Sequence, residues 1–469
     1  MKRESELLDV AIVLAVKATV SLVVLATGFF AISDDDFSRT VIAMNFAHAP
    51  RFDPSGTSWL PAPFWISGTA MTAFGRSLEV ARVVAFAEGL AFALLVRRGA
   101  RAFGLERPVA AIAAVVATSV PTAARLSVSF QPEALTAGLV AFAAFASRSA
   151  PRPRAWAAAG LFVACLSRYE AWPAAATFAV LATMDARSID AGRSSLIGAA
   201  ALSVAGPILW ILHGVAAHGD ALFFLHRVAA YRAALGADQT PLKAFTAVPL
   251  ELLLAEPSLV VGAIVLHFRT EPARARYDRP LLVLGSVLGF LAVGAAIDGA
   301  PTHHPERALL SIYVGLAVIG TNAAVRLVRE ARVVRLIDSV VAMALAGLLL
   351  LRVGTPERFA NRAEERAVGR TARNSLSSGD RLLVDTPDYG YFAVIASFGA
   401  PERAEPVELR DPRLARAADA FSSADALRAR IARARATALV VSRPHWEMAD
   451  SMGEWVEKRS SFGLLRVRP

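Results

Sequence analysis

The stretch Ile32-Ser33-Asp34-Asp35-Asp36-Phe37-Ser38-Arg39 connects the first apolar run of the chain to its first long polar segment. The apolar run begins near Val10, and a helix of about twenty apolar residues crosses one bilayer. Three consecutive carboxylates therefore follow a membrane span. Adjacent carboxylates repel one another, so a proton, a metal ion or a cationic side chain must relieve the repulsion. An acidic helix cap explains one of the three but not all, and we expect a functional site here.

The composition agrees with repeated crossing of a lipid bilayer. Of the 469 residues, 55% are hydrophobic, in long blocks, and the mean hydropathy is +0.46. The net charge of +10 comes largely from arginines in the short links between blocks, as the positive-inside rule describes. We therefore expect no nucleic-acid partner. The single cysteine, Cys165, excludes a disulfide within the chain.

The blocks predict an α-helical polytopic membrane protein with about 11 spans. They lie near 10–32, 78–96, 108–124, 131–147, 154–167, 171–184, 194–213, 247–267, 280–297, 307–324 and 335–353. Arginines concentrate in every second link between the blocks. Because cytoplasmic links are rich in Lys and Arg, we place these links in the cytoplasm and the protein in the inner membrane of the cell. The first apolar run is too long for a signal-peptide core and no small-x-small cleavage site follows it, so we expect an uncleaved first span with a cytoplasmic N-terminus. Loops 33–77 and 214–246 and the C-terminal segment face outward.

The C-terminal segment, residues 354–469, has short apolar runs and predicts a small extracytoplasmic α/β domain after a membrane domain of residues 1–353. A charged helix is expected over 357–376 and a strand over 381–385. Ser423 is a helix N-cap before 424–436, and 438–441 is a second strand.

Several polar and aromatic side chains lie on the same outer side as the aspartates. Arg168 needs an anion at this depth, which is either Glu133 or Glu170 or a bound phosphate. Arg307 either binds a phosphate bidentately or extends to the surface. Trp59 belongs to an interfacial aromatic belt or stacks on a sugar or a lipid chain. The candidate residues are Asp34, Asp35, Asp36, Arg39, Trp59, Glu133, Arg168, Glu170, His303, His304, Glu306 and Arg307.

These motifs, in this order, resemble the GT-C superfamily of polyprenyl-phosphate-sugar-dependent glycosyltransferases. The branch they are most similar to contains bacterial relatives of the protein O-mannosyltransferases and of the lipid A aminoarabinose transferase. Asp35-Asp36 matches the acidic motif of the first outer loop, and His304-Pro305-Glu306-Arg307 resembles an element before a late span. Ser167-Arg168-Tyr169-Glu170 looks like an arginine-containing turn of the bacterial members. Asp36 is followed by Phe37-Ser38-Arg39, where many relatives have other sequence.

The resemblance implies transfer of a sugar from a polyprenyl-phosphate donor, with inversion, to a lipid, glycan or protein acceptor. Asp35 is then the preferred base, with Asp34 and Asp36 as alternatives, and Arg39, Arg168 or Arg307 binds the phosphate. A divalent cation, Mg or Mn, bound by Asp34, Asp36 and His304 is a further possible element. Two alternatives stay open. The first is a transporter, for which Glu88 and Glu256 would be membrane-embedded acids. The second is a non-catalytic envelope assembly protein.

Overall fold

The structure is a computed structural model that describes residues 2–188, 192–236, 240–269, 277–297, 305–330, 359–408, 411, 413, 419–459 and 461–467. The helices of the N-terminal part are α1 (Lys2–Ala26), α2 (Asp34–His48), α3 (Ala62–Phe74), α4 (Leu78–Ala102), α5 (Arg107–Ser119), α6 (Pro121–Leu126), α7 (Glu133–Ala146), α8 (Pro151–Cys165), α9 (Ala171–Ser188), α10 (Arg193–His218), α11 (Phe223–Ala234), α12 (Pro241–Ala255), α13 (Pro257–Arg269), α14 (Asp278–Ala296) and α15 (Leu310–Glu330). A 3-10 turn, Pro305–Leu309, precedes α15.

The C-terminal part alternates helices and strands. Its elements are α16 (Ala363–Ser375), β1 (Leu382–Val384), α17 (Tyr391–Phe398), β2 (Ala404–Pro406), α18 (Ala424–Ala434), β3 (Ala438–Ser442), α19 (Trp446–Ala449), β4 (Gly453–Lys458) and β5 (Phe462–Val467). The chain is therefore a polytopic helical membrane protein with a small C-terminal α/β domain, as predicted. The predicted eleventh span and the domain boundary at residue 353 lie outside the described residues.

Four described helical segments are long and apolar enough to cross a bilayer: Glu6–Ala26, Arg193–His218, Asp278–Ala296 and Pro305–Arg326. The other apolar helices are shorter, or, as in α4, more polar. The first helix ends at Ala26 instead of Ile32, because Gly28 takes a left-handed backbone conformation (φ 86°) that terminates it. A short loop therefore separates the first span from the aspartates.

Two predicted spans are broken where a proline interrupts the apolar run. The run 108–124 divides at Val120, before Pro121, and the run 247–267 divides at Glu256, before Pro257. A residue before proline avoids the helical conformation, which the apolar pattern does not reveal. The two breaks meet, since the buried Glu256 carboxylate accepts hydrogen bonds from the N–H (3.0 Å) and hydroxyl (2.8 Å) of Thr122 in the first turn of α6. Glu256 therefore stabilises a helix terminus.

Helix α7 runs through the centre of the N-terminal part and packs along α4. Glycines permit this close approach. A Cβ atom on Gly99 of α4 would lie 3.0 Å from the Cα atom of Phe142, and one on Gly138 of α7 would lie 2.9 Å from the ring of Phe92. Small residues at such crossings are typical of helix packing in membranes, where backbone proximity replaces the hydrophobic effect.

The arginine-rich links gather on one face. Arg107 binds Asp9 of α1 (3.0 Å), Arg148 binds Asp278 (2.5 Å), and Asp185 binds both Arg154 and Arg279. Glu133 and Arg168, which are candidate site residues, lie at the opposite ends of α7 and α8. The prediction that alternate links share one side is therefore consistent with the fold, while the side that faces the cytoplasm stays a prediction.

The C-terminal domain has a five-stranded mixed sheet in the order β2-β1-β3-β5-β4. Strands β1, β2 and β3 are parallel, and β5 pairs antiparallel with β3 and β4. The predicted helix cap is confirmed, because the Ser423 side chain accepts a hydrogen bond from the Ala426 N–H (3.1 Å). The predicted strands 381–385 and 438–441 correspond to β1 and β3.

One apolar cluster joins the C-terminal domain to the membrane part. Phe37 and Val41 of α2 pack with Tyr391 and Val394 of α17, and Leu464 of β5 belongs to the same cluster. Phe37 is completely buried. The helix that begins with the three aspartates is therefore held against the C-terminal domain along one side.

Candidate active site

The three consecutive aspartates have three different environments. Asp36 is completely buried. Its Oδ2 accepts hydrogen bonds from the backbone N–H groups of Ile32 and Ser33 (3.2 Å each) and from Gln131 Nε2 (2.9 Å), and its Oδ1 accepts one from the Phe130 N–H (2.8 Å). Burial raises the pKa of Asp36, and these hydrogen bonds oppose that rise. This arrangement ties the start of α2 to the loop before α7 and argues against Asp36 as a base.

Asp34 faces the C-terminal domain. Both of its oxygens accept hydrogen bonds from Arg362, at 2.8 and 2.7 Å. The same guanidinium binds Asp388 (2.8 Å) and Glu365 (3.0 Å), so one cation neutralises three carboxylates. Although burial opposes it, the pKa of Arg362 is raised by the hydrogen bonds to Asp34 and Asp388. Asp34 therefore connects two parts of the fold.

Asp35 is the member of the triplet that is open to a substrate. Its side chain is 44% exposed, and Arg307 Nη2 donates to its Oδ2 at 3.4 Å. Arg307 itself is buried, and its Nε lies 3.8 Å from Glu133 Oε1. An arginine from the turn before α15 thus lies between the start of α2 and the start of α7, as expected if these distant segments form one site.

A second arginine approaches the same glutamate. Arg168, between α8 and α9, donates to Glu133 Oε1 at 2.6 Å and also to Glu170. Burial acts to lower the pKa of Arg168, but the charges of Glu133 and Glu170 raise it above its ordinary value. Glu133 Oε2 and Arg307 Nε are shielded from solvent and make no hydrogen bond within the part of the chain that the structure describes. The site therefore retains unused hydrogen-bonding capacity.

A third arginine, Arg39, lies one turn after the aspartates. Its guanidinium stacks on the Trp59 ring (4.4 Å to the ring centre) and interacts electrostatically with Glu133 and Asp35. Burial lowers the pKa of Arg39 to about 10, so it remains charged at neutral pH. Its Nε has no hydrogen-bond partner among the described residues. Trp59 thus contacts a cation, a position that neither of its predicted roles anticipated.

Arg39 also lines a small cavity bounded by α2, α3 and α4. The walls include Phe64, Phe130 and the side chains of Gln131 and Glu88. Gln131 Oε1 is buried without a hydrogen-bond partner in the described residues. The small cavity beside Arg39 therefore has both polar and apolar walls.

The remaining candidate residues are less informative. Glu306 lies half-buried in the 3-10 turn beside Arg307. His303 and His304 lie outside the described residues. Both oxygens of Asp36 already accept hydrogen bonds from backbone N–H groups and Gln131, and Asp34 is bound by the Arg362 guanidinium. A Mg²⁺ or Mn²⁺ ion needs free carboxylate oxygens, so these two residues do not fit such an ion. Asp34 and Asp36 are therefore not available as ligands of a divalent cation in this arrangement.

Two important residues were missed at the level of the sequence. Arg362 follows the last predicted span without a motif, and its left-handed backbone conformation (φ 46°) cannot be inferred from a pattern. Gln131 carries no motif of its own. The only feature of the sequence that could have indicated a role for Gln131 is its position two residues before Glu133, which was predicted to belong to the site. Non-glycine residues in this conformation are strained and persist where surrounding contacts determine them.

The chain is similar in structure to known membrane proteins. The crystal structure of ArnT from Cupriavidus metallidurans bound to undecaprenyl phosphate matches with a TM-score of 0.62 and 14% identity, over 98% of this chain and 97% of that chain. This chain has the GT-C fold. The apo state of the same ArnT gives a TM-score of 0.58 at 13% identity, over 92% of both chains.

A more distant GT-C protein has the same fold. The Archaeoglobus fulgidus oligosaccharyltransferase, in complex with Zn and sulfate, matches with a TM-score of 0.53 and 12% identity, over 97% of this chain and 73% of that chain. No protein-family model and no curated protein sequence matches. The predicted resemblance to the GT-C superfamily is confirmed at the level of the fold. The match to ArnT covers the membrane part and the C-terminal domain together.

Proposed function

We propose that this protein is an integral-membrane glycosyltransferase that takes a sugar from a polyprenyl-phosphate donor and transfers it to an acceptor at the outer face of the membrane. The observation that carries the proposal is the convergence of Asp35 with Arg307, Arg168 and Glu133, which come from separate segments of the chain. The fold supports the class of reaction, because ArnT was crystallised with undecaprenyl phosphate.

The arginines supply what a departing lipid phosphate needs. When the bond between the anomeric carbon and the phosphate oxygen breaks, negative charge develops on the phosphate. Cations fixed in a low-dielectric site stabilise this charge without reorganising. Arg307 and Arg39 both have a buried Nε without a hydrogen-bond partner among the described residues, and each can turn its N–H groups to a phosphate.

Asp35 is the proposed base. The hydroxyl or amine of the acceptor attacks the anomeric carbon from the face opposite the phosphate, so the anomeric configuration inverts. The acceptor's proton passes to Asp35, and the polyprenyl phosphate leaves with the electrons of the broken bond. Asp35 has the exposure for this role, whereas Asp36 is buried and Asp34 is bound by Arg362. Phosphate binding by Arg307 would release Asp35 from its present partner.

Envelope mass spectrometry in cells tests this proposal whichever sugar is transferred. Lipids and glycans are compared between cells with the wild-type chain, without it, and with Asp35→Asn. Asp278→Asn is the matched control, since Asp278 is also exposed and paired with an arginine, Arg148, on the opposite face. We expect a sugar-bearing product that is lost with Asp35→Asn and retained with Asp278→Asn. An unchanged set of products in all four strains would overturn the proposal.

The transporter alternative predicts a different result. It relied on Glu88 and Glu256 as membrane-embedded acids, and Glu256 is engaged with the first turn of α6. A transporter would move the donor lipid or its sugar without cleaving it, and an assembly protein would bind without cleaving. Release of free polyprenyl phosphate from a synthetic donor therefore separates the enzyme from both alternatives.

A further inference from the structure

Helix α16, the first helix of the C-terminal domain, carries a row of arginines along one side. Residues on one face of a helix are spaced three or four apart. The arginine row consists of Arg366, Arg370 and Arg373. Gly369, on the neighbouring face, lies so close to the Val394 carbonyl oxygen of α17 that a Cβ atom would collide with it. Thr371, on a further side, donates to Glu457 of β4 at 2.6 Å. The arginine row is therefore turned away from the sheet.

The first arginine of the row lies at the level of the membrane surface. The Arg366 guanidinium stacks on the Phe30 ring, with its Cζ atom 3.5 Å from the ring centre. Phe30 follows by four residues the end of the first candidate span, at Ala26. This arginine therefore contacts the chain just where it leaves the bilayer.

The last arginine of the row lies at a second point of the same surface. A Cβ atom built at Gly399 would lie 3.8 Å from the Arg373 Cζ atom and 3.1 Å from the Arg76 carbonyl oxygen. Arg76 is two residues after Phe74, whose side chain is 80% exposed at the end of α3. Large apolar side chains exposed beside membrane spans are typical of contact with lipid. The arginine row therefore follows the boundary at which phospholipid headgroups lie.

No carboxylate neutralises the arginine row within the part of the chain that the structure describes. Two acids close to it are already engaged, because Glu365 binds Arg362 (3.0 Å) and Glu402 binds Arg76 (2.7 Å). Burial and the charge of Arg370 lower the pKa of Arg366 to about 10, so Arg366 remains charged at neutral pH. An anion bound by these guanidinium groups would relieve their repulsion.

A fourth arginine reaches the same place from the membrane part. Arg82 of α4 lies over the Phe30 ring (4.8 Å to the ring centre) and over Phe130 (4.2 Å), and its Nη2 donates to the Phe30 carbonyl oxygen. Its Nη1 is shielded from solvent and has no hydrogen-bond partner among the described residues. Asp36 attracts Arg82, but the Asp36 oxygens already accept hydrogen bonds from other groups. A shielded N–H group without an acceptor is costly, and an anion would satisfy it.

We propose that Arg82 and the arginine row of α16 bind the phosphate of an anionic phospholipid from the surrounding bilayer. Guanidinium groups donate pairs of hydrogen bonds to phosphate oxygens, and basic residues at a membrane surface attract anionic headgroups. The position of the row favours a headgroup over free phosphate, because the bilayer holds headgroups at this level. The bound lipid joins α16 to α4. The site uses none of the arginines assigned to the donor phosphate and does not depend on the proposed function.

The test uses the purified full chain in an uncharged detergent. The apparent Tm is measured while phosphatidylglycerol, phosphatidylcholine or inorganic phosphate is added, and the titration gives an apparent Kd. We expect phosphatidylglycerol to raise the apparent Tm, and the other two to leave it unchanged. The variant Arg370→Gln/Arg373→Gln should bind phosphatidylglycerol about 10- to 30-fold more weakly, since it removes two of the cations. The matched control is Arg428→Gln/Arg433→Gln, which removes two exposed charges from α18 on the opposite face of the sheet.

Four results would overturn the proposal. Phosphatidylcholine could stabilise the protein as much as phosphatidylglycerol does, or the α16 variant could bind phosphatidylglycerol like the wild type. The α18 control could lose binding equally, which would indicate net charge instead of a site. Equal stabilisation by inorganic phosphate would exclude the lipid as the occupant. Should the double variant fail to fold, Arg370→Gln, at an exposed position, replaces it, with Arg433→Gln as its control.

Discussion

Replacing Asp35 and Asp36 separately by asparagine should give opposite phenotypes, although the residues are adjacent. Asp35→Asn removes the proposed base from a half-exposed position. Loss of a general base reduces the rate by about 10²- to 10⁴-fold. The stability should change little, because the contact of the half-exposed Asp35 with Arg307 is long (3.4 Å) and the buried Arg307 keeps Glu133 as a neighbouring anion; a weak ion pair of this kind contributes about 0–1 kcal/mol. The protein should therefore accumulate normally and be inactive.

Asp36→Asn should instead destabilise the protein. The carboxylate accepts three hydrogen bonds on Oδ2 and one on Oδ1. In the better orientation, the asparagine oxygen keeps the three and its NH₂ group faces the Phe130 N–H. One hydrogen bond to a charged acceptor is then lost, and a buried donor has no acceptor. Each effect costs about 1–3 kcal/mol, so we expect the free energy of unfolding to fall by about 2–6 kcal/mol.

Both effects are measured on the same preparations. Apparent Tm in detergent reports stability, and release of polyprenyl phosphate from a synthetic donor reports activity per folded protein. The reasoning is refuted if Asp36→Asn melts like wild type, or if Asp35→Asn transfers sugar at the full rate. A loss of activity per folded protein in Asp36→Asn alone would identify Asp36 as the base.

Three further perturbations test the architecture around this pair. Arg307→Lys keeps the positive charge but loses the planar guanidinium group that can donate two hydrogen bonds to a phosphate. We expect the transfer rate to fall about 10²-fold and the rise in apparent Tm on adding polyprenyl phosphate to become smaller. An unchanged rate would contradict phosphate binding by this residue. Arg362→Ala leaves three carboxylates without their cation, so we expect the free energy of unfolding to fall by about 1–3 kcal/mol. Arg362→Gly should lose less stability, because glycine accepts the φ of 46° at this position. Apparent Tm values equal to that of the wild type for both variants would refute this prediction. Gly138→Leu should clash with Phe92 and lower the free energy of unfolding by about 1–3 kcal/mol. Gly294→Leu is the control, because no atom lies within 4 Å of a Cβ atom built at Gly294. Similar apparent Tm values for the two variants would contradict the described packing of α7 on α4.

Local patterns predicted the local features of the fold. The Ser423 cap and strands β1 and β3 depend on short stretches of sequence, and the structure has them where expected. The breaks before Pro121 and Pro257 were missed, because the apolar runs continue through both prolines. Hydropathy reports which residues avoid water, and it does not report the conformation of the backbone.

The site was predictable in membership but not in arrangement. The outer side and the residue types identified Asp35, Glu133, Arg168 and Arg307, which the structure brings together. The distinct environments of the aspartates depend on partners about 94 to 328 positions away, which no spacing reveals.

The apolar cluster that Phe37 and Val41 share with Tyr391 and Val394 makes the two parts of the chain interdependent during folding. A fragment that begins at α16 would expose to water the surface that α2 covers, and would tend to aggregate. The reciprocal truncation would leave α2, and with it Asp35, without support on one side. Sequence changes in the C-terminal domain are therefore constrained by the need to support α2 and the Asp35 that it carries.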